Sequence, residues 1–317
     1  MDWKQAISNY SNYLKIERGL SLNSIKSYLS DINKLVSYIE LLVTPALPAD
    51  ISSDIIKDFI YNTAKVLSAR SQSRLVSALK SFFDYLVFEN YRQDNPVALI
   101  ESPRIGRKIP ITLLKQEVDQ LLLSINLEHP QGQRNRAIVE TLYSCGLRVS
   151  ELINIKLSDL FFDEGFIKIL SKGNKYRLVP VHSTTVKSIN LYINKARSLD
   201  VVNNQGADIL FLNRRGKRLT RQMVYIILNN SAKKINLKKK IGPHTLRHSF
   251  ASYLLQNGAD LRIIQQLLGH KSITTTEIYI HTDQEQLKQT VFQYHPRSKS
   301  ELKNLNKIKK DSSLEDK

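Results

Sequence analysis

Apolar residues recur every three to four positions through the first part of the chain. Trp3, Ile7, Tyr10 and Leu14 form one stripe, and Leu22, Ile25, Tyr28, Leu29, Ile32, Leu35 and Ile39 a second. That spacing lines one face of an α-helix. Ser52 or Ser53 is placed to cap a third helix carrying Ile55, Ile56, Phe59 and Ile60, and Ser71 a fourth carrying Leu75, Leu79, Phe82, Phe83 and Leu86. The pattern predicts a four-helix domain over residues 1–99. Between 100 and 112 the period breaks: Pro103, Gly106 and Pro110 interrupt any helix, while Arg104, Arg107 and Lys108 add charge. This reads as a basic linker whose side chains either follow a nucleic-acid backbone or are simply solvated.

Helical spacing resumes over 115–127 and 134–145. Alternation then changes to the two-residue period of strands at Phe166–Leu170 and Tyr176–Val181, with Ser171 to Lys175 as the hairpin connection. Further helices are predicted at 184–197, 220–235, 243–257 and 260–268, so residues 113–296 form a mixed α+β domain that is mainly helical. A short apolar set (Leu287, Val291, Phe292 and Tyr294) either packs on its own domain or docks on something else. From 297 to 317 periodic apolar positions nearly vanish, and a charged, flexible tail is expected. The fold class is therefore mainly α with a small β-sheet, in two domains.

Charge sharpens this division. The 317 residues carry 47 Lys and Arg against 29 Asp and Glu, a formal charge of +18. Residues 1–108 hold 14 basic and 11 acidic side chains, the remainder 33 and 18. Such an excess suits a polyanionic partner, nucleic acid above all, and it is concentrated in the second domain. Cys145 is the single cysteine, so no intramolecular disulfide can form. No spanning apolar run or signal peptide is evident, which points to an intracellular protein with no membrane role.

Six residues have the chemistry to surround one phosphate: Arg148, Lys172, His244, Arg247, His270 and Tyr279. A tyrosine oxygen can form a covalent phosphoester that stores bond energy for rejoining. Each arginine offers a planar fork of donors matching two phosphate oxygens and stays charged as negative charge builds. His244 lies three residues before Arg247, on the same helix face, and is placed to take the tyrosine proton; His270 is suited to hydrogen-bond a non-bridging oxygen. Glu151, three residues after Arg148, either holds its guanidinium or makes an ordinary helical ion pair. A lysine in a turn, as Lys172 is, is ordinarily solvated. Lys175 is a phosphate contact or turn charge, and His248 a core or supporting residue. His129, His182, His281 and His295 have no motif support. There is no phosphate-cradling glycine loop and no carboxylate cluster for metals, so no cofactor or metal is expected.

These residues stand in recognisable contexts: Gly146-Leu147-Arg148-Val149-Ser150-Glu151-Leu152, Lys172-Gly173-Asn174-Lys175, His244-Thr245-Leu246-Arg247-His248, Leu268-Gly269-His270 and Ile278-Tyr279. In order and spacing they resemble the tyrosine recombinase (phage integrase) family, closest to the bacterial XerC/XerD-type recombinases, over about residues 2–295. The resemblance implies a SAM-like helical DNA-binding domain ahead of the catalytic domain. It makes Lys172 the acid for the departing 5′ oxygen and Tyr279 the nucleophile of a 3′-phosphotyrosyl intermediate. It also implies a C-shaped clamp on double-stranded DNA with inverted half-sites, and a homo- or hetero-tetramer, with a second Xer recombinase and a DNA translocase as candidate partners. Strand exchange would pass through a Holliday junction, and the final helix would dock into a neighbouring protomer. Resolution of chromosome or plasmid dimers in the bacterial cytoplasm, at the nucleoid, is the expected role. An integrase, transposon recombinase or DNA invertase of the same family is the alternative. A type IB topoisomerase or a non-catalytic DNA-binding regulator fits less well.

Overall fold

The structure is a computed structural model describing residues 1–42, 45–103, 106, 110–171, 175–197, 207–269 and 280–297, with backbone alone over 280–286. The chain divides into two compact units, Met1–Lys108 and Ile109–Lys317.

The first unit contains α1 (Trp3–Ile16), α2 (Leu22–Ile39), α3 (Ser53–Ala64) and α4 (Ala69–Phe88). Their apolar stripes meet in a core of Tyr10, Leu14, Ile32, Leu35, Phe59, Leu79, Phe82 and Phe83. Side-chain oxygens of Asp2, Ser21, Ser52 and Ser68 cap the four helices by accepting free N–H groups of the first turn. The fourth cap is Ser68 rather than Ser71: helix α4 starts earlier than its apolar stripe, and Ser71 instead donates its backbone N–H to the Ser68 hydroxyl. Trp3 stacks on Phe82 and donates its indole N–H to the Ala46 carbonyl. Asp31, fully buried on α2, accepts two hydrogen bonds from Arg74 of α4 at 2.8 and 3.1 Å and one from Lys34 at 2.7 Å.

The second unit contains α5 (Lys115–Leu123), α6 (Gly132–Cys145), the four-residue α7 (Val149–Leu152), β1 (Leu160–Phe161), β2 (Phe166–Leu170), β3 (Tyr176–Pro180), α8 (Ser183–Lys195), α9 (Arg221–Lys234), α10 (Pro243–Gln256), α11 (Leu261–Leu268) and α12 (Ile280–Tyr294). Strands β2 and β3 pair antiparallel from Phe166 opposite Pro180 to Leu170 opposite Tyr176, and the Ser171 N–H donates to the Lys175 carbonyl where they join. A third strand, β1, extends the sheet beyond the expected hairpin; its two residues are too few to show a two-residue period. Helix α5 is shorter than its apolar pattern suggested, ending where the Ser124 hydroxyl bonds back to the Leu121 carbonyl.

Helix α6 is buried along most of its length and packs against α8 and α10. Cys145 closes it, fully buried, and burial pushes its thiol up to about 12. The apolar set of α12 packs on its own domain: Val291 is buried with Phe250, Leu254, Ile264 and Leu268, and Phe292 lies against the His182 ring. Just beyond it, His295 is fully enclosed by the Tyr143, His182 and Phe250 rings. Arg297 is itself held, with ion pairs to Asp119 at 2.7 Å and Glu140 at 2.9 Å. Among the described residues, no helix is long and apolar enough to cross a membrane.

Candidate active site

Arg148 and Arg247 come from different helices and converge on one carboxylate. Helix α6 stops at Gly146, which turns the chain at φ +58°, and two residues later Arg148 becomes the residue preceding α7. Glu151, at the third position of α7, folds back: its Oε2 accepts the Arg148 backbone N–H at 2.9 Å and its Oε1 accepts Arg148 Nη1 at 2.8 Å. Glu151 therefore caps the helix and holds the guanidinium at once. Arg177, on β3, approaches the same carboxylate with Nη1 and Nη2, each at 2.9 Å. Arg247 Nη1, from α10, stands 3.8 Å from Oε2.

The arginines are fixed on their other sides by helix ends. The last carbonyls of an α-helix have no partner within it and carry the negative end of its dipole. Arg247 donates to the Gly146 carbonyl at the end of α6 (2.8 Å) and to the Leu268 carbonyl at the end of α11 (2.6 Å). Arg148 Nη2 donates to the Gly269 carbonyl (3.2 Å), and Arg177 Nε to that of Leu267 (3.2 Å). Gly269 ends α11 at φ +64°, a conformation that favours glycine.

Among the described residues, three guanidinium groups face one carboxylate, so the cluster carries about two uncompensated positive charges. The effects are visible on both kinds of group. Burial would raise the Glu151 carboxyl, but the hydrogen bonds and charge of Arg177, then those of Arg148, hold it below the usual carboxylate range. The Arg247 guanidinium is pushed down to about 10 by burial and by the Arg148 charge. A buried cation in that state is stabilised by an anion. The Arg148 side chain remains 30% exposed while that of Arg247 is 8% exposed, so Arg148 supplies the open edge.

His244 sits at the start of α10, exposed, one turn before Arg247. Desolvation, then the positive surroundings of His248, Arg247 and Arg148, pull its imidazole below the ordinary range, which favours a neutral ring able to accept a proton. His248 is exposed and so is not a core residue: it lies a turn further along α10, on the solvent side. Lys175 is exposed at the end of the β2–β3 connection. Lys172, His270, Tyr279, Arg104, Arg107 and Lys108 lie outside the described residues. Arg177 received no role from the sequence; its signals were its place in a strand beside a predicted catalytic hairpin and in the segment Arg177-Leu178-Val179-Pro180, which shares in the family resemblance.

The sequence pattern described as the phage integrase family matches residues 112–286, and that of the phage integrase N-terminal SAM-like domain matches residues 7–90. The chain is a tyrosine recombinase of the phage integrase family. As such it is an enzyme, a site-specific recombinase that cleaves and rejoins DNA, and its relatives are of the Xer type. It is 40% identical over 293 residues to tyrosine recombinase XerD of Listeria monocytogenes serotype 4b, covering 92% of this chain and 99% of that one. It is likewise 40% identical over 294 residues to tyrosine recombinase XerD of Oceanobacillus iheyensis, with the same coverage. Among solved structures, a XerH site-specific recombinase bound to palindromic difH substrate in a post-cleavage complex superposes with a TM-score of 0.67 at 26% identity, over 90% of this chain and 84% of that one. A lambda integrase tetramer bound to a Holliday junction has the same TM-score at 19% identity, over 87% and 80%, and speaks to the fold alone.

Proposed function

We propose that the arginine cluster receives the scissile phosphate and that Tyr279 attacks it. The observation that carries this reading is the surplus of positive charge where Arg148 and Arg247 meet around the single carboxylate Glu151. Arg148 and Arg247 donate to the non-bridging oxygens as charge grows on them, and His270 adds a further hydrogen bond. The Tyr279 oxygen bonds to phosphorus while the bond to the 5′ oxygen breaks. His244 takes the phenolic proton, and Lys172 supplies one to the departing oxygen. The product is a 3′-phosphotyrosyl linkage and a free 5′ hydroxyl, and reversal on a new strand restores the phosphodiester. One phosphodiester replaces another, so no external energy source is needed.

The substrate in this reading is double-stranded DNA with inverted half-sites, bound by residues 1–99 and 113–296 as a tetramer of one or two recombinase types. The relatives named XerD support Xer-type resolution of chromosome or plasmid dimers in the bacterial cytoplasm, with a second Xer recombinase and a DNA translocase as partners. Arg104, Arg107, Lys108 and Lys175 would follow the DNA backbone.

The test uses Tyr279→Phe on nicked sites that trap covalent complexes. Half-site binding should be almost unchanged, and the protein–DNA adduct should disappear. Persistence of the adduct in that variant would remove Tyr279 from the nucleophile's role.

A further inference from the structure

Arg177 touches three parts of the site that come from distant stretches of chain. Its two terminal nitrogens grip both Glu151 oxygens at 2.9 Å. Nη1 also donates to the Ser171 hydroxyl, in the residue directly before Lys172. Nε donates to the Leu267 carbonyl in the last turn of α11, three residues before His270. The guanidinium is seated against Gly269, where a Cβ would stand 3.0 Å from Nη1 and 3.2 Å from Cζ.

A lone surface ion pair would explain none of this: the Arg177 side chain is 13% exposed, that of Glu151 3%, and the contacts use donors on three sides of one plane. A lysine ammonium, a point charge, reaches at most part of such a set. Glu151 in turn orients Arg148, and Ser171 closes the hairpin on Lys175. Displacing Arg177 would release the phosphate-binding fork, the base of the hairpin and the end of α11 together.

We infer that Arg177 is a positioning residue that joins the Lys172 hairpin to the Arg148–Glu151 pair and the α11 terminus, so that the leaving-group acid and the phosphate ligands are held as one unit. The inference rests on the roles assigned to Lys172 and Arg148 above, and its test separates the two.

Single-turnover cleavage is measured on ordinary nicked sites and on 5′-phosphorothiolate sites, whose sulfur leaves without an acid. Arg177→Ala should bind a half-site normally, cleave ordinary DNA about 10- to 100-fold more slowly, and recover part of the loss on the phosphorothiolate. Arg177→Lys, which keeps a charge beside Glu151, should fall between. A residue that only supports the fold would lose both substrates equally. An equal loss for Arg177→Ala while Lys172→Ala is rescued, or no loss at all, would overturn the inference. Failure of Lys172→Ala to be rescued would instead overturn the acid assignment. In that case hydrogen exchange decides the tie: exchange should quicken at both 168–178 and 264–269 in Arg177→Ala and Arg177→Lys, and at neither in Lys172→Ala. Unchanged exchange at both segments in the Arg177 variants would refute the tie.

Discussion

A carboxylate gripped by more than one cation is buried in each unit, Asp31 in the first and Glu151 in the second, and the two do different work. Asp31 in the helical unit is gripped by Arg74 and Lys34, whose side chains are 46% and 39% exposed. Burial would raise its carboxyl, but Arg74 and then Lys34 hold it below the usual range, and the result is a staple between α2 and α4. Of the Glu151 partners, Arg177 and Arg247 are largely buried themselves, and all three arginines also donate to carbonyls at helix ends. Cations that water can already solvate need no further anion. Cations fixed by protein dipoles and outnumbering their carboxylate do, and that is how a salt bridge becomes a phosphate site.

The largest expected effect tests this contrast directly. Arg148→Ala and Arg247→Ala should each slow single-turnover cleavage by about 10²- to 10³-fold, since each removes charge-assisted donors to the transition state. Arg74→Ala should leave cleavage per folded molecule unchanged and cost about 1–2 kcal/mol in urea unfolding. A rate defect in Arg74→Ala as large as that in Arg247→Ala would erase the distinction.

How far the contrast could be read from sequence depends on the range of the forces involved. The helices of both units were legible because a 3.6-residue period records burial locally. Arg148, Arg247 and His244 were legible because each sits in a motif of a few residues. The Ser68 cap was hidden among neighbouring serines, and β1 was too short to alternate. Arg177 was missed for a deeper reason: its partners are 26 and 90 residues away, and no local period encodes a contact at that separation.

A smaller effect compares two glycines with φ near +55°. At Gly146 an added Cβ would lie 2.5 Å from the Phe250 ring, whereas at Gly19 nothing lies within 4 Å. Gly146→Ala should therefore cost about 2–4 kcal/mol, combining left-handed strain with overpacking. Gly19→Ala should cost about 1 kcal/mol, from strain alone. Equal urea midpoints for the two would show that the core around α6 yields easily.

The smallest expected effect separates the units by acid. All seven histidines lie beyond residue 108. His295 is held well below the ordinary histidine range, first by burial and then by the neighbouring His182 and Arg297. The unfolded chain takes up a proton near pH 6.5 that the folded site resists, so this contribution is complete above about pH 6.5 and shrinks as pH falls. Between pH 7.5 and 5.5 the catalytic unit should lose stability, and His295→Phe should narrow that loss by about 1 kcal/mol. Fluorescence of Trp3, the only tryptophan, reports the helical unit and should show no matching shift. An unchanged acid loss in His295→Phe would place its origin elsewhere.

The burial of Cys145 has a practical consequence. With its thiol pushed up to about 12 and no surface on which a reagent can land, the native chain is effectively silent to maleimides and other thiol probes. A single cysteine introduced at an exposed position would then be the one reactive sulfur in the molecule. Paired fluorophores or cross-linkers could follow assembly on DNA without first stripping the protein of its own cysteine.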